Sequence, residues 1–463
     1  MTCQYQRGQR GRCDSSRRSA CLATEVGIRL QGLQGVIERG LADLARCATK
    51  RWSNSRIYAT IGDVKYESIT TDTGLRELCD RLADVEIIAF DTEFVSEDTY
   101  RPELCLLQVA AGGKLTVVDC VAVNDVDPFW QRISTGKHRT VVHAGRQEVL
   151  FCLDSVEAWP VQLFDLQIAA GLVGLEYPAG YGSLVSRLLG QQLKKGETRT
   201  DWRKRPLSER QLQYALSDVV HLEPMYRQLT DKLERLDRTA WLEGEMKDWI
   251  DQVEVSYRRE RWQRVSGMSG LGARSRAVVR EVWRWREEQA RRRNMPPKRV
   301  LRDDLIVEIA KRRSADVKQI RAIRGMDRGD LRNALPHLAA AVQRALDLDE
   351  SQLPRGKHRH ELPPQLNVLG QFLSSALGSI CRRAELATGI VGNPSDVREL
   401  IAYRLGYFHD DDEPPALSVG WRAEVVGQQI DDLLAGRLSI RIVDPQSEQP
   451  LTFDPVNNRG ESE

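Results

Sequence analysis

The period of the apolar positions changes along this chain. Between residues 69 and 82 they recur at helical spacing, with Leu75, Leu78, Cys79 and Leu82 on one face. Short apolar runs of strand character follow at 85–90, 105–110, 115–118 and 141–143, with helical stretches at 148–153 and 166–172. Strands interleaved with helices predict an α/β domain that ends near residue 255. Beyond it the spacing is helical. Residues 273–293 carry Val279, Val282, Trp283 and Ala290 in phase, and 302–312, 330–346, 365–387 and 395–405 continue the theme. The stretch 353–364 lacks any such pattern and reads as a linker, and 409–415 as a solvated loop. The predicted divisions are a basic, disordered extension at 1–64, an α/β domain at 65–255, helical domains at 272–347 and 366–440, and a polar tail at 441–463. Within the extension, 26–48 has the spacing of one amphipathic helix.

Composition narrows the class. The chain has 463 residues, 41% hydrophobic and 29% charged, which is ordinary for a globular protein of two to four domains. No apolar run approaches the roughly 20 residues of a membrane span. The start, Met1-Thr2-Cys3-Gln4-Tyr5, lacks the apolar core of a secretory signal. A cytoplasmic protein without membrane contact is expected. Nine cysteines are scattered with no Cys-x-x-Cys pair, which argues against zinc knuckles and disulfide scaffolds and for reduced, packed thiols. Net charge is only +2, so affinity for nucleic acid must come from local patches.

Five residues carry the candidate chemistry. Asp91 and Glu93 end the apolar run at 85–90, and residues two apart on a strand share a face. Tyr214 and Asp218 are four apart on a helix whose start is marked by Ser208-Glu209-Arg210-Gln211, a capping-box pattern preceded by Pro206. Leu212, Ala215, Leu216, Val219 and Leu222 supply the buried face of that helix. Glu148 follows His143-Ala144-Gly145, where a strand gives way to a helix. Gly145 suits a tight turn there, and His143 reads as a packed residue. Taken singly each signal is ordinary: acids flank strands, and an acid in a first helical turn complements the helix dipole. Gathered at one point, carboxylates repel unless a cation lies between them, and such sites cleave phosphodiesters.

Order and flanks make the set specific. The stretch from Ile88 to Leu222 resembles the exonuclease domain of the ribonuclease D family, whose three motifs hold Asp, Glu, Asp, Asp and a tyrosine. The resemblance runs through Phe90-Asp91-Thr92-Glu93-Phe94, Tyr100-Arg101-Pro102-Glu103-Leu104-Cys105-Leu106-Leu107-Gln108, His143-Ala144-Gly145-Arg146-Gln147-Glu148 and Tyr214-Ala215-Leu216-Ser217-Asp218. The long segment from Glu197 to Gln211, with Asp201-Trp202-Arg203-Lys204-Arg205-Pro206 at its centre, is similar as well. One position departs: the family has Asp where this chain has Glu148. Glutamate keeps the charge but extends the carboxylate by about 1.5 Å, and Mg²⁺ is strict about geometry. Residues 272–347 resemble the HRDC domain through Trp285-Arg286, Asn294-Met295-Pro296, Val300-Leu301-Arg302-Asp303-Asp304-Leu305 and Ile323-Arg324-Gly325-Met326. Residues 366–436 resemble a second, divergent copy through Glu385-Leu386-Ala387 and Gly420-Trp421-Arg422.

The resemblance implies an α/β, ribonuclease H-like exonuclease domain with a mixed sheet, followed by two all-α HRDC-type domains. It implies 3′→5′ hydrolysis of RNA, releasing nucleoside 5′-monophosphates with two divalent ions, Mg²⁺ or Mn²⁺. Asp91 would bridge both ions, Glu93 and Asp218 would complete the site of the ion that activates water, and Glu148 would support the other. Tyr214 would orient the attacking water, and Trp202 would support its helix. Lys195 and Arg199 are candidate phosphate contacts, as is the basic group Arg291, Arg292, Arg293, Lys298 and Arg299. The implied partner is RNA with a single-stranded 3′ end, above all tRNA precursors, bound by a monomer without a nucleotide cofactor. Two other readings remain open at this point: a DNA-directed exonuclease of the same fold, and an RNA-binding protein in which Glu148 marks weakened chemistry.

Overall fold

The computed structural model describes residues 56–61, 64–193, 200–354, 364–408 and 413–456. Seven strands build one sheet: β1 (Arg56–Ile61), β2 (Val64–Ile69), β3 (Ile87–Val95), β4 (Glu103–Ala111), β5 (Lys114–Asp119), β6 (Arg139–Val142) and β7 (Leu163–Asp165). Their spatial order is β1-β2-β5-β4-β3-β6-β7. The sheet is mixed. β3, β4 and β5 pair antiparallel, while β2 with β5, β3 with β6 and β6 with β7 are parallel. Its strand β3 is apolar on both faces up to Phe90, as a strand covered by helices must be.

The helices of this part are α1 (Asp72–Arg81), α2 (Asp127–Thr135), α3 (Arg146–Val156), α4 (Leu166–Leu172), α5 (Tyr181–Leu189), α6 (Glu209–Val220), α7 (Leu222–Arg235) and α8 (Thr239–Arg258). Local chemistry starts several of them. The Thr71 hydroxyl accepts from Gly74 N at 3.2 Å to cap α1. The capping box read at Ser208 is present, with Ser208 N donating to Gln211 Oε1 at 2.9 Å. The helical remainder includes α9 (Ala273–Arg292), α10 (Asp303–Arg312), α11 (Leu335–Leu346), α12 (Pro364–Arg383) and α13 (Pro394–Arg404). The single helix expected over 330–346 is split into a turn at Gly329–Arg332 and α11, because Pro336 belongs in a first helical turn.

Two expectations at the ends change. The extension 1–64 includes strand β1, which pairs antiparallel with β2 and so belongs to the sheet. The predicted amphipathic helix at 26–48 lies outside the described residues, as does most of the linker. The expected polar tail at 441–463 contains most of a hairpin, β8 (Leu438–Ile442) with β9 (Leu451–Pro455). Five cysteines are free thiols among the described residues, and four of them are buried. No helix among those residues is long and apolar enough to cross a membrane.

The apolar residues form two large cores. One lies within the first helical region and runs from Trp262 to Ala345. The other begins under the sheet and continues into the last helices, joining Phe90 and Trp130 to Leu377, Ile390 and Ile401. Arg238 stitches the second core together. Its Nη1 donates to Leu172 O and Glu385 O, each at 2.7 Å, and its Nη2 donates to Ala384 O. Trp241 stacks on Trp421 with ring centroids 5.0 Å apart, and Glu245 takes the Arg422 guanidinium.

Candidate active site

β3 and α6 bring the two residue pairs together. Asp91 and Glu93 leave the same face of β3, and a register shift between Glu93 and Phe94 ends regular pairing with β4 just beyond them. Such a bulge bends the strand where a site is built. α6 crosses that face and contributes Tyr214 and Asp218 from adjacent turns. Oxygen atoms of Asp91, Glu93 and Asp218 all lie within 4.8 Å of one another. Asp91, His143, Tyr181, Tyr214, Asp218 and Leu222 line a cavity of about 170 Å³ over this group.

The seat of α6 is held from below. Trp202, 5% exposed, packs with Ala215 and Leu216, and its ring lies 6.2 Å from that of Tyr214. Arg205 fixes this segment to the sheet. Its Nε and Nη2 grip Asp119 at 2.6 and 2.7 Å, and Nη1 donates to Trp202 O at 2.6 Å. Sequence reasoning did not identify Arg205 or Asp119 as partners. They are 86 residues apart, and only the β5 register brings them into reach.

Glu148 is placed differently from the other acids. It is 5% exposed in the first turn of α3, and its Oε1 accepts from the Thr92 hydroxyl at 2.6 Å. Thr92 stands between Asp91 and Glu93, so its side chain leaves the strand on the opposite face. The carboxylate of Glu148 is near enough to raise the proton affinity of Asp91 and Glu93, yet it is not among the three that converge.

The turn that delivers α3 is built by Asp165, which sequence reasoning missed. This 2%-exposed carboxylate accepts from Ala144 N at 3.0 Å, Gly145 N at 2.9 Å and Gln167 N at 2.8 Å. The residue in the left-handed region is Ala144, at φ 54°, rather than Gly145. Gly145 is needed for space: a Cβ there would fall 2.3 Å from Val142 Cγ2. His143 is packed as expected, with Nε2 2.9 Å from Ala179 O and its ring edge-on to Tyr181. Burial lowers its proton affinity, which keeps it neutral.

Burial and mutual repulsion dominate the electrostatics of the acid cluster. Burial first, and then the neighbouring carboxylates, push Glu93 up to about 8. Burial pushes Glu148 and Asp218 up to about 7, and Asp91 is raised well above the usual carboxylate range by burial and its three acidic neighbours. Burial and the Asp218 charge raise Tyr214, which therefore keeps its proton and donates a hydrogen bond to Asp218. Carboxylate oxygens converging at this range suit a hard divalent cation, whose charge would offset their repulsion.

The candidate phosphate contacts are scattered. Lys195 and Arg199 lie outside the described residues. Arg291, Arg292, Arg293, Lys298 and Arg299 are exposed at the end of α9 and the turn after it. Two of them have partners: the Arg291 guanidinium stands 5.6 Å from the Tyr100 ring, and Lys298 Nζ is 3.4 Å from Asp303. Tyr100 N also donates to Asn294 Oδ1 at 3.2 Å, so this basic end abuts the loop after β3.

Residues 66–234 match the family model described as a 3′-5′ exonuclease, and residues 275–342 match the HRDC domain. Ribonuclease D of Gluconacetobacter diazotrophicus is 33% identical over 81% of this chain and 94% of its own length. Ribonuclease D of Nitrobacter hamburgensis is 32% identical over 81% and 96%. The crystal structure of Escherichia coli RNase D, described as an exoribonuclease involved in structured RNA processing, superposes with a TM-score of 0.67 at 26% identity. That match covers 81% of this chain and 99% of the other.

Proposed function

This chain belongs to the ribonuclease D family and is a 3′→5′ exoribonuclease, and on that premise we propose that Asp91, Glu93, Glu148, Tyr214 and Asp218 carry the hydrolysis. The convergence of Asp91, Glu93 and Asp218 within 4.8 Å carries the assignment. Asp91, Glu93 and Asp218 would hold one divalent ion, Mg²⁺ or Mn²⁺, and Glu148 would support a second. Bound ions supply the positive charge that acidifies the attacking water and stabilises the attacking and leaving oxygens. The protonated Tyr214 hydroxyl, poised beside Asp218, orients the water. A bond forms from that water to phosphorus, the bond from phosphorus to the 3′ oxygen of the preceding nucleotide breaks, and a nucleoside 5′-monophosphate leaves. The shortened RNA keeps a 3′-hydroxyl.

The helical regions at 272–347 and 366–440 guide a single-stranded 3′ end towards residues 65–255. The substrates are tRNA precursors and other structured RNAs with a 3′ tail, processed in the cytoplasm by a monomer. The hydrogen bond from Thr92 to Glu148 favours one variation on this reading, a slower enzyme whose second ion is bound weakly.

The test is degradation of end-labelled RNA and DNA with Mg²⁺, Mn²⁺ or EDTA. Mononucleotides are expected from RNA only with a divalent ion. Asp91→Ala and Asp218→Ala are expected to abolish release with the fold intact, and Tyr214→Phe to slow it while metal affinity holds. Full activity in either alanine variant would sink the assignment.

A further inference from the structure

A second cluster of charge, of opposite sign, lies where α8 ends against the first turn of α3. Arg146 opens α3 two residues before Glu148, and its Nη2 donates to Ser256 Oγ at 2.6 Å. Arg261 reaches the same residue, its Nη2 donating to Ser256 O at 3.1 Å. Arg264 follows in the same short turn, its amide bonded to Arg261 O at 2.9 Å. Trp262 lies between them and is buried in the core of the first helical region, which anchors the turn. Two guanidiniums, one from α3 and one from the turn after α8, thus meet at one serine, and the Arg264 charge from that same turn is near enough to act on Arg146.

Nothing acidic pays for that arrangement. Among the described residues none of the three arginines is joined to a carboxylate by an ion pair. Glu260, beside them in sequence, is taken by Arg284 at 2.7 and 2.9 Å. Glu287 feels the Arg261 charge, but it has Arg286 at 3.7 Å. Burial and the charges of Arg261 and Arg264 lower the proton affinity of Arg146, as expected for like charges held close.

The cluster opens on a groove of about 870 Å³ lined by Ser256, Arg259, Arg261 and Arg264. The acids of that groove, Asp248, Asp251 and Glu413 besides Glu260, belong to the preceding turns of α8 and to the start of the last described segment. A second groove, of about 650 Å³, shares Arg259 and Arg261 with the first and continues past Gln147, the neighbour of Glu148, to Arg291. Arg261 lies in both grooves and Arg264 in the first, on a path between the flank of the carboxylate site and the basic end of α9, and Arg146 joins Arg261 at Ser256.

We propose that Arg146, Arg261 and Arg264 form a phosphate subsite that holds the RNA backbone behind the 3′-terminal nucleotide. The proposal rests on the exoribonuclease reading for the identity of the strand. Guanidiniums suit the role because their planar donors match phosphate oxygens, and a bound phosphodiester offsets their mutual repulsion. The subsite reads no bases, so it serves any sequence.

The test is binding of a fluorescein-labelled oligouridylate of about 20 nucleotides, read by anisotropy in EDTA over a salt series. Each phosphate contact to a single strand contributes about 0.7 to the slope of log affinity against log salt. The double variant Arg261→Ala/Arg264→Ala, checked for fold by thermal melting, is expected to bind about tenfold more weakly, with a slope smaller by about 1.4. Arg261→Lys/Arg264→Lys is expected to recover the slope, which a purely structural turn would not do. Unchanged affinity, weaker binding at an unchanged slope, or no RNA binding by the unaltered protein would each overturn the subsite. Hydrolysis of the same RNA with Mn²⁺ is measured in parallel. Binding that follows the expected slopes without hydrolysis supports the subsite and overturns the catalytic assignment, and hydrolysis with an unaltered slope does the reverse.

Discussion

At the scale of single residues, the acids of the site are held against their own chemistry. Burial and repulsion leave Glu93 near 8 and Asp218 and Glu148 near 7, so the folded chain without metal carries protons that the unfolded chain releases at lower pH. The unfolded state binds fewer protons between about pH 4.5 and 8, so the free energy of unfolding falls as pH rises through that window. In EDTA the melting temperature is expected to drop from about pH 5 to 8. Mn²⁺ is expected to reverse the drop, and Glu148→Gln to make it shallower. A flat profile in EDTA would refute the account of buried, proton-retaining carboxylates. Asp91, Glu93, Tyr214 and Asp218 could be singled out in the sequence because their motifs and flanks resemble those of the ribonuclease D family, whereas strand and helix periods alone only place each pair on one face. The turning of Glu148 onto Thr92 was not, since that bond spans 56 residues and depends on where α3 lands.

At the scale of elements, short-range chemistry and long-range anchoring divide the work. The capping box at Ser208 sets the phase of α6 from within four residues, so it could be read directly. The seat of α6 is set by Arg205 on Asp119, and the launch of α3 by Asp165 beneath Ala144 and Gly145. Neither had a local signal. Gly145 shows the difference in kind: its place suggested a tight turn, but the constraint is the Val142 side chain 2.3 Å from a would-be Cβ. Gly145→Ala is expected to cost about 1–3 kcal/mol in denaturant unfolding, in the range of core overpacking. Because α3 carries Glu148, the same variant is expected to weaken metal binding. Unchanged stability would mean that the turn yields without strain.

At the scale of the molecule, the two helical regions are joined to the sheet in different ways. The first keeps a core of its own, whereas the last helices share theirs with the sheet domain. Arg238 satisfies three backbone carbonyls across that shared boundary. Removing it strands acceptors in a buried place, so Arg238→Ala is expected to cost at least about 2 kcal/mol of unfolding free energy. A loss under about 0.5 kcal/mol would indicate that water replaces the guanidinium. The sequence by itself determined the α/β-then-helical division and the capped start of α6. Those follow from periodicity and capping, both of which act over a few residues. Only the tertiary structure decided that β1 joins the sheet, that Glu148 bonds Thr92, that Arg146 and Arg261 meet at Ser256 and that the last helices share the sheet's core. Each of these depends on contacts between segments distant in the chain, and no local pattern encodes which distant partner a side chain will meet.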